Sequence, residues 1–527
     1  MATLSVGLSG RRSPARSTVA LRRLLLVIAL GSGIGALVSV SLYAGANVAD
    51  VAVLPIGLAL ILPAFCVKNF RLYWFVVFLL SLQLPLTKNL NDGPAVIERL
   101  HIDYTIWNFT FDITASDLVL AILLSIWVND CLFHEKRSRI PAPGWLAIVY
   151  LCVCLLSLTE AASPYLGLVE ISRQVKFFIV FLFAVNCIDS KSAVRALVLA
   201  GVAILAIQAA VTVARFATGF TAPITLGHTY VDLSEIDHYL KVERSAEGSA
   251  VRAMGTLASP GSTVRLCMMV IPFALFLCAR NSMLRRRLPV AMLTAGGLVG
   301  LALTFDRVYF IVTAVQLVLA FSLMVRDRML KREEAAALVV LALAGLAVAA
   351  PKLYEQFTVR ESSVSVRLLQ YEATERMILD HPLLGVGLNN GTAAKRQYST
   401  LTYNPYDENT QFYLEPTHNV YLSLASEIGI PGALLFFGFF AAATATAWRQ
   451  SRSASDPEIR LFANMLVVVF CGVAVNGLMD PLFEYPVLAL LWLYAGLAFS
   501  LSRLDRAKSG LSSALVPAAK LLSRPGD

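Results

Sequence analysis

The chain has 527 residues, 57% of them hydrophobic and only 15% charged, with a mean hydropathy of +0.68. Together with many separate apolar runs of spanning length, this excludes a soluble globule and makes membrane spans, not folded domains, the unit of organisation. The net charge of +9 fits Lys/Arg-rich cytoplasmic loops, and no basic and aromatic stripe points to a nucleic-acid partner.

Residues 1–23 hold Arg11, Arg12, Arg16, Arg22 and Arg23 and read as a cytoplasmic N-terminal segment. The following LLLVIALGSGIGALVSVSLYAGA ends in a cleavage-like Ala44-Gly45-Ala46. It exceeds the ~7–15 residues of a signal-peptide core, so an uncleaved first span over 24–46 is expected. Further apolar runs place spans near 51–67, 72–86, 115–133, 144–161, 174–189, 193–215, 262–279, 288–304, 308–325 and 335–350, then 418–447, 461–479 and 486–502. The fold class is therefore all-α, a polytopic membrane bundle of roughly 12–14 transmembrane helices. The 8 cysteines lie in or beside these runs, and the spacing of Cys152 and Cys154 suits neither a redox nor a zinc motif, so all read as packing residues.

With the N-terminus inside, the cytoplasmic loops hold well over half of the 44 basic residues, and both termini, including a basic tail over 503–527, face the cytoplasm. Within the 24–350 bundle the outer loops are then 87–114 and 216–261. The largest outer segment is 351–417, ahead of C-terminal helices over 418–502. In it, Val366 to Leu379 has helical periodicity, and His381-Pro382 with Gly385 and Gly387 signals a turn. Pro416 and Thr417 read as a helix start that puts His418 in the first turn, where the helix dipole disfavours its protonated form. Gly429-Ile430-Pro431-Gly432 should break or kink that helix.

Charges near span ends are the chemical candidates. Arg307, in TFDRVYFIV, is either a phosphate ligand or a snorkelling side chain paired with Asp306. Arg252 and Arg265 flank the turn of Gly255, Pro260 and Gly261, where the plain reading is an outer-loop charge. Arg367 has Glu372 and Glu375 as available ion-pair partners. Arginines converging beside an extracytoplasmic histidine suit a diphosphate, because the guanidinium fork binds phosphate oxygens at two points. His418 is then a general base, or else a histidine that satisfies a helix end. The acidic, histidine-containing loop with His228, Asp232, Glu235, Asp237 and His238 matches no standard metal spacing, and no metal site is expected. HExxH, P-loop and GxSxG motifs are absent from the sequence.

The stretch HNVYLSLASEIGIPG resembles the HN-x-x-L…G-I-P-G signature of the O-antigen ligase and polymerase superfamily of bacterial envelope glycosyltransferases. RAMGTLASPG, TFDRVYFIV and VRLLQYEATERMILDHPLLGVGLNN are similar, in order, to three further family segments. Gly261, Asp306, Val308 and the pair Gln370-Tyr371 depart from the usual residues, the last standing where Trp is common. The resemblance, over roughly residues 200–500, implies a metal-independent enzyme of the bacterial inner membrane with its active site on the periplasmic side and no cofactor. Its donor would be an undecaprenyl-diphosphate-linked glycan, and its acceptor a sugar hydroxyl on a glycan or a lipid A-core. It further implies His418 as catalytic base, Arg252, Arg367 and Arg307 as diphosphate ligands, and Asn419 and Glu427 in support. Ligase and polymerase are not separated. The alternative from another class is a flippase for lipid-linked glycan or another polysaccharide transporter, but the charges gather at the outer edge whereas transport sites lie near the midplane.

Overall fold

The computed structural model describes residues 69–83, 87–89, 111–133, 138–218, 253–257, 260–280, 284–304, 306–334, 336, 361–398, 416–481 and 485–522. The chain divides into two units, Met1–Phe78 and Leu79–Asp527. The described part of the first is the opening of helix α1 (Phe70–Ser81), where Asn69 Oδ1 accepts the Leu72 amide at 3.0 Å.

Among its described residues the second unit is helical apart from turns and one short antiparallel pair, β1 (Thr87–Asn89) and β2 (Asp112–Thr114), with Thr87 opposite Thr114. Its helices are α2 (Ala115–Phe133), α3 (Gly144–Ser157), α4 (Pro164–Cys187), α5 (Lys191–Thr218), α6 (Pro260–Arg280), α7 (Leu284–Leu303) and α8 (Arg307–Arg326). After these come α9 (Glu361–Asp380), α10 (Gly391–Tyr398), α11 (Val420–Ser453), α12 (Pro457–Asn476) and α13 (Tyr485–Leu522). Among the described residues seven helices, α2, α5, α6, α8, α11, α12 and α13, are long and apolar enough to cross a membrane. The protein is a multi-pass membrane helical bundle.

The expected spans at 24–46 and 51–67, and nearly all of 335–350, lie outside the described residues. The expected span at 144–161 is the 14-residue α3, and that at 288–304 is α7, whose apolar stretch is Val290–Gly300. Hydropathy misjudged α4 most: it starts ten residues before the run at 174–189. The missing turns carry Glu170 and Arg173, and Lys176 follows just inside the run; these charges depress a hydropathy window yet are paired inside the protein. Arg173 bonds Asp112 at 2.6 Å and Lys176 bonds Asp117 at 2.8 Å, while Gln174 donates to Glu170 at 2.7 Å. The tail expected after residue 502 also differs, since α13 runs unbroken to Leu522.

Helix α6 lies against α5, α7, α8 and α12, and its residues from Val264 to Phe276 are almost all buried, so it forms the centre of the bundle. A second contact layer joins α13 to α4 and α11, where Trp492 meets Phe439 with ring centroids 4.9 Å apart and Phe439 meets Phe181 at 5.1 Å. The N-terminal end of α12 carries a charged cluster: Asp456 pairs with Lys191, and Glu458 with Arg195 at 2.6 Å. Arg326 donates to Ser451 O and Asn464 at the same end, and Arg503 closes the carbonyls of Val185 and Ile188 after α4. The other end of α12, about 30 Å away at 1.5 Å per residue, meets the turn that carries His418.

Candidate functional site

The turn before α11 is built differently from the sequence expectation. Thr417 does not cap the helix. Asn419 does, its Oδ1 accepting the amides of Tyr421 at 3.0 Å and Leu422 at 3.1 Å. His418 therefore precedes the cap instead of lying in the first helical turn, and Asn419 supports it by fixing where the helix begins. The turn is clamped from two sides: Val420 N donates to Gly477 O at 2.8 Å past the end of α12, and Tyr371 OH on α9 donates to His418 O at 2.9 Å. Thr417 spends its hydroxyl on Thr374 of α9, 2.7 Å away.

The His418 ring is part-buried, with Nδ1 3.3 Å from Oε1 of the fully buried Gln370. Burial first, then the nearby Arg367 guanidinium, and to a smaller extent Lys395 and Arg265, hold its pKa down to about 3, with Asp480 opposing them. The imidazole is therefore neutral at physiological pH, and cations from three helices, α9, α10 and α6, surround it. Arg367 does not take the expected partners: Glu372 pairs instead with Arg376 at 2.5 Å, and Arg367 Nε is buried with no hydrogen-bond partner among the described residues.

Arg265, whose plain reading was an outer-loop charge, is buried in α6. Its Nε donates to Tyr309 OH at 2.7 Å and lies 3.2 Å from Asp480 Oδ2, while Tyr309 in turn donates to Asp480. Tyr309, Asp480, Gln370 and the fully buried Lys395 were not singled out as candidates from the sequence, and Arg265 was weighed there but not counted among the diphosphate ligands. The available signal was weak: Asp480 and Arg265 are charges at span ends, but Lys395 sits in the polar GTAAKRQY, where nothing announces burial. Arg252 and the side chain of Arg307 lie outside the described residues, as does the loop with His228 and His238. Among the expected ligands, Arg367 and His418 are brought together.

The two most distinctive sequence stretches interlock. Gly429 interrupts α11 at φ 72° and ψ 169°, freeing Ser426 O and Ile430 N, which would bond each other in a regular helix. The DHPLLGVG turn takes them up, with Val386 N donating to Ser426 O at 2.8 Å and Ile430 N donating to Pro382 O at 2.9 Å. Such irregular backbone is tolerated at a membrane segment only when buried against protein. Gly385, at φ 68°, approaches so closely that a Cβ there would lie 2.4 Å from Glu427 C, and one on Gly429 would lie 2.1 Å from Leu383 O. Glu427 receives Asn389 N at 2.9 Å ahead of α10, which fastens the helix that carries Lys395. Gly385→Ala and Gly429→Ala should each cost at least ~2 kcal/mol through positive φ and collision with backbone. Thermal unfolding in detergent checks this, and an unchanged midpoint would show that the interlock is not needed.

Residues 290–437 match the O-antigen ligase family. The segment contains TFDRVYFIV, α9, the DHPLLGVG turn and the first half of α11, but ends short of Asp480 and begins after Arg252 and Arg265. No curated protein matches the chain. The matched residues, which make up just over a quarter of the chain, include Arg367, Gln370, Lys395 and His418 on interlocked elements.

Proposed function

We propose that the protein transfers or polymerises an undecaprenyl-diphosphate-linked glycan onto a sugar hydroxyl at the periplasmic face of a bacterial inner membrane. The observation that carries this reading is the neutral His418 enclosed by Arg367, Lys395 and Arg265 at one end of the bundle. His418 takes the proton of the acceptor hydroxyl, the oxygen attacks the anomeric carbon, and the bond from that carbon to the diphosphate oxygen breaks. The polyprenyl diphosphate leaves with its electron pair, held by Arg367, Arg252 and Arg307 together with Lys395 and Arg265, and the anomeric centre inverts. This requires neither metal nor cofactor.

The side assignment rests on the charged cluster at the opposite end of α12. Lys191, Arg195, Arg326 and Arg503 gather there, as cytoplasmic ends do. His418 then faces the periplasm, with 351–417 as its large loop and 1–23 and 503–527 on the cytoplasmic side. A transporter would place its charges along a path across the bundle. Ligase and polymerase differ in the acceptor, a lipid A-core or the growing glycan, so purified protein given a defined lipid-linked donor and each acceptor in turn separates them. Release of polyprenyl diphosphate with neither acceptor forming product would overturn the reading.

The same assay has a pH signature. Because burial first, and then Arg367 with Lys395 and Arg265, depress the His418 pKa to about 3, protonation does not compete in the free enzyme near neutrality, and kcat/KM should stay level from pH 7 to below pH 5. A bound diphosphate brings negative charge that offsets those cations and raises the pKa, so kcat should acquire an acid limb at higher pH than kcat/KM. An acid limb of kcat/KM centred on the ordinary imidazole value would contradict this.

A further inference from the structure

Gln370 and Tyr371 stand where the family resemblance has Trp, and both bond His418. Gln370 lies in the middle of α9, fully buried, with its amide oxygen 3.3 Å from His418 Nδ1. Its neighbours lock the surroundings: Thr374 Oγ1 donates to Gln370 O at 2.6 Å and joins the Thr417 hydroxyl, and Tyr371 OH holds His418 O. The backbone of His418 is thus fixed by Tyr371 and Thr417, and Gln370 bonds its ring at Nδ1.

A neutral imidazole has one donor nitrogen and one acceptor nitrogen, and the bond made by one decides the state of the other. Facing Nδ1, an amide oxygen can only accept, so the proton stays on Nδ1 and the lone pair stands on Nε2. We infer that Gln370 is a positioning residue that holds His418 in the Nδ1–H tautomer, so that Nε2 receives the proton of the acceptor hydroxyl. This rests on the reading of His418 as the base. A neutral partner also has a consequence that a carboxylate would not. The charged groups facing His418 are Arg367 from α9, Lys395 from α10, Arg265 from α6 and Asp480 beyond α12. Gln370 adds no negative charge to them, so it does not hold the imidazolium formed during transfer as a carboxylate at that place would.

The experiment uses full-length protein in detergent, labelled with 15N-histidine. With 6 histidines in the chain, the His418 signal is assigned by its loss in His418→Gln. The wild-type ring should show its proton on Nδ1. Gln370→Met, close in volume, should give a mixed or Nε2–H signal and lower kcat by about tenfold, the worth of one buried hydrogen bond, with donor KM unchanged. Gln370→Glu should keep the Nδ1–H tautomer but place a carboxylate beside it, moving the acid limb of kcat to higher pH. Tyr371→Phe, which releases only the His418 carbonyl, should leave the tautomer as it is. A wild-type proton on Nε2, or wild-type kcat and tautomer in Gln370→Met, would overturn the inference while an inactive His418→Gln variant left the general-base reading standing. Active His418→Gln would remove that reading itself.

Discussion

His418→Ala is expected to leave the protein folded and inserted, still able to bind lipid-linked donor, yet slower in transfer by ~10²–10⁴-fold, the usual worth of a positioned base. Binding should survive because the diphosphate is held by arginines and not by the imidazole. The fold should survive too. His418 is not the helix cap, a role taken by Asn419; its carbonyl is held by Tyr371, and the turn is held by Val420 N on Gly477 O, through groups that alanine keeps. A histidine that serves only structure makes the opposite forecast: alanine would reduce the amount of folded protein, and glutamine, which keeps a polar side chain, would preserve turnover. Membrane-normalised transfer by the Ala and Gln variants side by side decides between them, and near-normal turnover with Gln would take His418 out of the mechanism.

Arg367 carries the second large effect, and here activity and stability should move in different directions. Its buried Nε has no partner among the described residues, so the folded protein holds desolvated donor capacity that nothing yet repays. Arg367→Met should therefore match or exceed the wild type in thermal stability while losing ~10²-fold or more in turnover, the trade expected when a binding group is kept at the expense of packing. Arg367→Lys should recover little, because a point charge cannot reproduce the two-point fork. Arg376 is the control. Exposed and paired with Glu372 at 2.5 Å, it contributes about 0.3–0.5 kcal/mol at most and should tolerate alanine without loss of transfer. Equal turnover of the Arg367 and Arg376 variants would refute the diphosphate role.

Much of this was legible because membrane insertion is a local matter. A run of apolar residues must span in a helix to bond its own backbone, so the bundle, the seven long helices and the break at Gly429 to Gly432 follow from the order of residues alone. The turn at His381 to Gly387 was legible for a related reason, since positive φ at Gly385 and Gly387 is a property of the glycines themselves. Local rules fail where a distant partner changes the sign of a residue. Glu170 and Arg173 made the first turns of α4 look too polar to belong to a span, and their pairing with Gln174 and Asp112 is what permits them there. Thr417 looked like a cap because capping is read from neighbours, but Thr374, 43 residues earlier, claims its hydroxyl. The site divides along the same line. His418 and Arg367 stand in recognisable stretches, whereas Gln370, Lys395, Arg265, Tyr309 and Asp480 acquire meaning through contacts between helices far apart in the chain. Whether a charge is buried, and beside what, depends on which helices meet, and that is a property of the packed bundle and not of any window of sequence.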